Sequence, residues 1–250
     1  TMPGSEPIYS ARVRIPTIIE RARSQVVKLE IYRDGSLQAP SSGTYSLIDP
    51  DGTTVSTGSV SVSGSIAQYT IGASDIPATV ELGEGWLEEW ALTISSTVQT
   101  FRRPASMVKR ALYPVVADVD LTAIYSDLAD VRPSSMSSYQ TYIDEAWIDI
   151  VNRIRAKGDF EYLIMDPQVL RSPHRDLTLY LIFRDFHSTI GEGRYLELAQ
   201  EHREVFEARF REISYRYDHD HDGEADDPDK RRALQPVVYL SRPPAMVRRR

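Results

Sequence analysis

The chain has 250 residues, 41% apolar and 26% charged, with no cysteine and a formal net charge of −7. That composition belongs to a folded protein long enough for two domains, and it excludes disulfides, thiolate zinc sites and cysteine nucleophiles. No apolar run reaches the roughly 18 residues of a membrane span, and the acidic balance argues against a primary nucleic-acid binder.

Thr1–Arg14 has no apolar stretch of the kind a secretory signal carries, so none is expected. Residues 1–23, with Arg12, Arg14, Arg21 and Arg23, read as an N-terminal arm. Residues 24–104 read as strands. Val26, Val27, Leu29 and Ile31 precede Asp34-Gly35, a hairpin dipeptide. Tyr45 and Leu47 lead into Pro50-Asp51-Gly52, a turn whose Pro presets φ. Val60, Val62, Ile66, Tyr69 and Ile71 form short runs broken by glycines, and Trp90, Leu92 and Ile94 alternate. Short strands separated by turn signals predict an immunoglobulin-like β-sandwich. Gly83-Glu84-Gly85 reads as a turn before the Trp90 strand.

Residues 105–117 are predicted as a linker, and 118–217 as a four-helix bundle. The first helix, capped by Asp118 or Asp120, carries Leu121, Ile124, Tyr125 and Leu128. The second runs from Tyr139 to Ile154, stopped by Gly158. The third opens at Ser172-Pro173, with Ser as cap and Pro at the first helical position. The fourth carries Tyr195 to Ile213. The predicted class is therefore α+β and multidomain: sandwich, bundle and an extended C-terminal arm.

The most telling stretch is 218–229. Asp218, Asp220, Asp222, Glu224 (through its carbonyl), Asp226 and Asp229 stand at positions 1, 3, 5, 7, 9 and 12 of an EF-hand-type loop, with Gly223 at 6. An all-oxygen set points to Ca²⁺ in a structural role. Position 12 is Asp rather than the bidentate Glu, Pro228 precedes it, and no exit helix is evident. The bland reading is a solvated acidic turn, in which seven carboxylates repel one another and Arg216 is the one basic residue within 215–229. A zinc or nickel site through His219 and His221 explains fewer residues. Residues 230–250 reverse the charge, with seven basic residues and no acid. Arg232, Val237, Val238, Tyr239, Leu240, Arg242, Arg248, Arg249 and Arg250 are the candidate partner-binding residues of this arm.

No hydrolase, metalloprotease, phosphate-loop or dinucleotide motif occurs. His174, His187 and His202 read as ordinary helix residues, so an enzyme is not expected.

A β domain, a helical module, an Asp-x-Asp-x-Asp-Gly loop and a basic arm together resemble the head–tail connector proteins of tailed bacteriophages. The segments that carry this are Gly43–Leu47 with Pro50-Asp51-Gly52, Leu82–Trp86 with Trp90, the helices of 118–213, and Tyr217–Asp229. The resemblance implies a virion structural protein, made in the host cytoplasm and residing in the neck. It would form a ring, a dodecamer of neighbouring subunits, under the portal protein. The ring would extend the channel through which DNA passes without specific binding and give tail, tail-terminator or neck proteins a platform, with no membrane involved. The alternative is a calcium-dependent extracellular carbohydrate- or protein-binding module, with Trp86 or Trp90 exposed to the ligand.

Overall fold

The computed structural model describes residues 8–134, 136–218 and 220, and the backbone of 231–233. It is a mixed α+β protein of two compact units. The first contains the chain up to Pro114, Trp147–Met165 and Asp218; the second contains Val115–Ala146 and Asp166–Tyr217.

The first unit holds eleven strands among the described residues: β1 (Tyr9–Ala11), β2 (Thr17–Glu20), β3 (Gln25–Leu29), β4 (Ile31–Arg33), β5 (Ser36–Leu37), β6 (Ser42–Ile48), β7 (Thr54–Ser59), β8 (Ser61–Ser63), β9 (Ile66–Ile71), β10 (Gly83–Ile94) and β11 (Thr97–Val108). They form a five-stranded sheet, β2-β11-β10-β6-β7, and two three-stranded sheets, β1-β4-β5 and β3-β9-β8. Only β2 with β11 is parallel. The residues expected to be an N-terminal arm thus contribute β1 and β2, and Ala105–Val108 of the expected linker continue β11.

All three sheets feed one core. Ile19, Leu29, Ile31, Tyr45, Ala67, Trp90, Leu92 and Met107 share a single buried cluster. Along β10 every second residue from Trp86 to Ile94 is buried, as a strand with one face on a core requires. Tyr45 stacks on Tyr69 at 4.4 Å between ring centroids and meets the Trp90 ring edge-on at 4.7 Å.

Tight turns set this unit's registers. Asp34-Gly35 joins β4 to β5 with φ of 51° and 77°, the doubly positive pair a type I′ hairpin needs. Ser95-Ser96 joins β10 to β11 in the same way, at 49° and 68°. Serine gives no sequence signal for that conformation, because an L side chain there is strained.

The second unit contains α1 (Asp118–Thr122), α2 (Leu128–Val131), the first half of α3 (Gln140–Arg155), α4 (Arg171–Ile190) and α5 (Gly193–Glu212). Five α-helices therefore stand among the described residues where the sequence predicts four. The first predicted helix breaks after Thr122, and Ser126 and Asp127, which compete with helix through their own side chains, lie in the gap. Its N-cap is Ala117 rather than an aspartate; Asp120 at the third helical position accepts the Ala117 N–H at 2.9 Å. Asp118 instead accepts the Tyr139 N–H at 3.0 Å. Ser172 is not a cap either. A 3-10 turn at Pro167–Leu170 runs into α4, so Pro173 stands third in the helix, where no intrahelical N–H is required.

Helices α4 and α5 form an antiparallel hairpin. Gly191 ends α4 at φ 80° and donates its N–H to His187 O. Phe183 and Phe186 of α4 pack on Tyr195 of α5, with Leu121, Tyr139 and Ile143 in the same cluster. Beyond α5 the chain turns into β12 (Ser214–Arg216), which pairs antiparallel with β13 (Arg231–Ala233).

Replacing Ser95-Ser96 by Asn-Gly removes strain at both positive-φ positions. The double variant S95N/S96G is expected to gain about 1–2 kcal/mol in urea unfolding. No gain would mean that these residues carry no strain.

Candidate functional site

The structure covers the predicted metal site only in part. Asp218 is buried and donates its N–H to Leu163 O at 2.9 Å, while Asp220 is exposed. Asp222, Glu224, Asp226 and Asp229 lie outside the described residues, as do His219 and His221. Among the described residues, no three His, Asp or Glu side chains are grouped to hold a metal. The backbone of Arg232 pairs with Tyr215 in the β12–β13 ladder; Val237, Val238, Tyr239, Leu240, Arg242, Arg248, Arg249 and Arg250 lie outside the described residues. The backbone on the two sides of the acidic stretch is paired: Arg216 stands opposite Arg231. The residues after Lys230 take strand geometry, and that disposes of an EF-hand exit helix at 231–233.

Asp218 docks beside a polar cluster that the sequence reading missed. Gly83-Glu84-Gly85 is not a turn before β10 but a bulge inside it, where the register against β11 shifts between Gly83 and Trp86. Gly83 and Gly85 have φ of 117° and 95°, conformations that favour glycine. Bulges re-aim side chains, and this one aims Glu84. Its Oε1 accepts hydrogen bonds from Ser106 Oγ at 2.7 Å and Tyr162 OH at 2.8 Å, and lies 3.5 Å from Arg155 Nη1. Arg155, at the end of α3, donates Nε and Nη2 to the two oxygens of Glu161, each at 2.8 Å. Its guanidinium also faces the Phe160 and Tyr162 rings. Burial, then the bond to Glu84, pushes the Tyr162 phenol far up, so it remains a donor. All these residues belong to the first unit. A bidentate Arg–Glu pair with every oxygen partnered is a clamp, and it fixes the turn on which Asp218 rests. The only sequence sign was a charged residue between two glycines.

A second buried charge lies in the β core. Glu88 is fully buried, with Thr17 Oγ1 and Arg103 Nε on Oε2 and Tyr45 OH on Oε1 at 3.2 Å. Arg103 also reaches Lys28 O at 2.9 Å. Burial, then Glu88, pushes the Tyr45 phenol far up.

The histidines have structural surroundings. His202 Nε2 meets Tyr125 OH at 2.9 Å, and its ring stacks on Phe183. Its Nδ1 stands 3.6 Å from Asp176, too long for a hydrogen bond. Asp176 is instead neutralised by Arg209. The order Asp–His–hydroxyl is that of a proton relay, but the relay is open at its first link. His174 Nε2 donates to Ile143 O at 2.9 Å, and burial holds this imidazole below its usual range. His187 contacts Glu192 O.

Trp86, Trp90 and Trp147 are all buried, so none of the three tryptophans offers a face to a sugar. No described helix is long and apolar enough to cross a membrane.

No family model matches the sequence, and no curated protein matches it. Among solved structures, one similar chain is an engineered protein, 10% identical, with a TM-score of 0.29. The match covers 41% of this chain and 20% of that one, and at that score it says nothing of fold or function.

Removing Arg155 leaves Glu161 buried and unpaired. Arg155→Met is expected to cost about 3 kcal/mol, and Tyr162→Phe about 1 kcal/mol. Equal, small losses in chemical denaturation would contradict the clamp.

His174 generates a pH dependence. Its folded pKa is depressed, so the unfolded chain binds the proton first. That contribution is complete above the ordinary histidine value of about 6.5 and is lost as pH falls below it. Stability between about pH 7.5 and 5.5 should therefore fall more steeply for the native chain than for His174→Gln. Parallel slopes would contradict a neutral, donor-only His174.

Proposed function

We propose that this chain is a virion structural subunit, a head-to-tail connector that forms a ring under the portal. In this reading the ring extends the DNA channel, carries the tail-attachment platform, and is assembled in the virion neck from chains made in the host cytoplasm. The β unit is read as an immunoglobulin-like sandwich, supported by the single core that three antiparallel-dominated sheets share. The helices are read as the adaptor core, with α1 and α2 as the two pieces of one broken helix beside α3, α4 and α5. Catalysis has no part in this reading.

The observation that carries the proposal is the β12–β13 hairpin. It takes the chain out of the last helix, around the acidic stretch, and back at Arg231, where the basic end begins. A loop rooted at both ends suits a cation clip whose work is to hold an arm. Calcium would bind there through Asp218, Asp220, Asp222, Glu224, Asp226 and Asp229. The arm from Arg232 would grip the portal or a neighbour, its arginines pairing with partner carboxylates. The sugar-binding alternative loses its aromatic platform with the burial of Trp86 and Trp90.

The test is co-purification with the portal protein of the same virus. The full chain should be retained in twelve-fold complexes, and the chain lacking 233–250 should lose at least about tenfold in capture, equivalent to about 1.4 kcal/mol. Chelation should lower capture of the full chain, and added calcium should restore it. A full chain that remains a monomer with portal present contradicts the connector. Capture unchanged by the deletion contradicts the arm's role.

A further inference from the structure

Among the described residues, the hairpin of β10 and β11 has a length of backbone that no strand covers. β2 pairs with β11 only from Ala105 to Val108. The two-residue Ser95-Ser96 turn makes Ile94 and Thr97 the closing hydrogen-bonded pair. Counting along the register, Gln99, Phe101 and Arg103 bond to Leu92, Trp90 and Glu88. Val98, Thr100 and Arg102 therefore turn their N–H and C=O groups away from β10. Two bonds outside the ladder fit this parity. Thr93, opposite Val98, gives its carbonyl to Ser41 on the β6 side, and Val108 gives its carbonyl to Arg21 on the β2 side. Among the described residues, no strand pairs with Thr97–Pro104 on that side.

The uncovered edge has defined ends. The Ser95-Ser96 turn closes one. Pro104 closes the other: it shares the outward parity and has no N–H to offer, the position at which a strand tolerates proline. Its side chains are also suited to a partner. Val98 is 63% exposed, while Phe101 on the opposite face is half-buried against the core. Edges of this kind are taken up by an added strand.

The chain itself supplies a segment of matching length. Residues 234–250 lie outside the described residues and contain Val237-Val238-Tyr239-Leu240. Pro236 on one side and Pro243-Pro244 on the other confine any ladder to 237–242. Six residues of arm span about 20 Å at strand spacing, against about 23 Å for the seven from Thr97 to Arg103. The edge's own Arg102 is already paired with Glu89 at 2.8 Å, and 237–242 adds one cation, Arg242.

We propose that residues 237–242 of one subunit add as a strand to the Val98–Arg102 edge of the neighbouring subunit. This rests on the ring reading and names the contact that links its members. An arm passed from each subunit to the next is a head-to-tail interface, and a ring is the closed form of such an interface.

The chain has no cysteine, so introduced thiols report cleanly. Two differently tagged populations, Val98→Cys and Val238→Cys, are mixed, assembled and treated with a short bismaleimide. Ser59→Cys, on the β7 edge of the same sheet, replaces Val98→Cys as control. A product carrying both tags is expected, at least about tenfold above the control. The solution mass of each sample is measured alongside. A ring without the 98–238 product overturns the edge assignment and leaves the connector reading standing. A mixed product without a ring supports the edge assignment and overturns the ring. Neither product nor ring overturns both. A V98C/V238C chain that closes only on itself, with no mixed product, overturns the neighbour as donor.

Discussion

Two serines at positive φ set the parity of the longest hairpin in the molecule, and much of the first unit follows from that parity. Alternation turns Trp86, Glu88, Trp90, Leu92 and Ile94 to one face of β10, and the two-residue turn sets Ala105, Arg103, Phe101, Gln99 and Thr97 opposite them. A one-residue slip of β11 in that pairing would bring its other face opposite the core-facing set. A fully buried aliphatic side chain contributes about 1.5–3 kcal/mol, so the register is worth far more than the strain held in the turn. The same parity directs the carbonyl of Thr93 toward Ser41 and leaves the groups of Val98, Thr100 and Arg102 facing outward.

Buried charge gives the first unit a second kind of order. Core packing tolerates small shifts, whereas a buried carboxylate must find all of its donors. Glu88 joins β2, β6, β10 and β11 through Thr17, Tyr45 and Arg103. Glu84, turned by the glycine bulge, joins β11 and the end of α3 through Ser106, Tyr162 and Arg155. The acidic stretch starts one residue contact from this clamp, at Leu163. A cation bound in that stretch would act on a firmly held root, which suits a structural clip better than a sensor.

The readable parts of this fold are those that local chemistry announces. Asp34-Gly35 and the alternation of Trp90, Leu92 and Ile94 mark a turn and a half-buried strand, and both are present. Gly158 marks a helix end, and it follows one. The parallel partnership of β2 with β11 was illegible, because it joins residues far apart in the chain and leaves no local pattern. Ser95-Ser96 was illegible because serine is a poor left-handed residue. Glu84, Arg155 and Glu161 become one site only when a bulge, a helix end and a 3-10 turn meet. The acidic stretch was legible in composition alone, and the sequence offered no hint that β12 and β13 close it.

Hydrogen exchange along β11 tests the central claim directly. In the isolated subunit, the amides of Gln99, Phe101 and Arg103 should be protected, and those of Val98, Thr100 and Arg102 should exchange as exposed amides do. In the proposed ring the second set should become protected as well. Equal protection of both sets in the isolated subunit would contradict the parity, the open edge and the interface drawn from them.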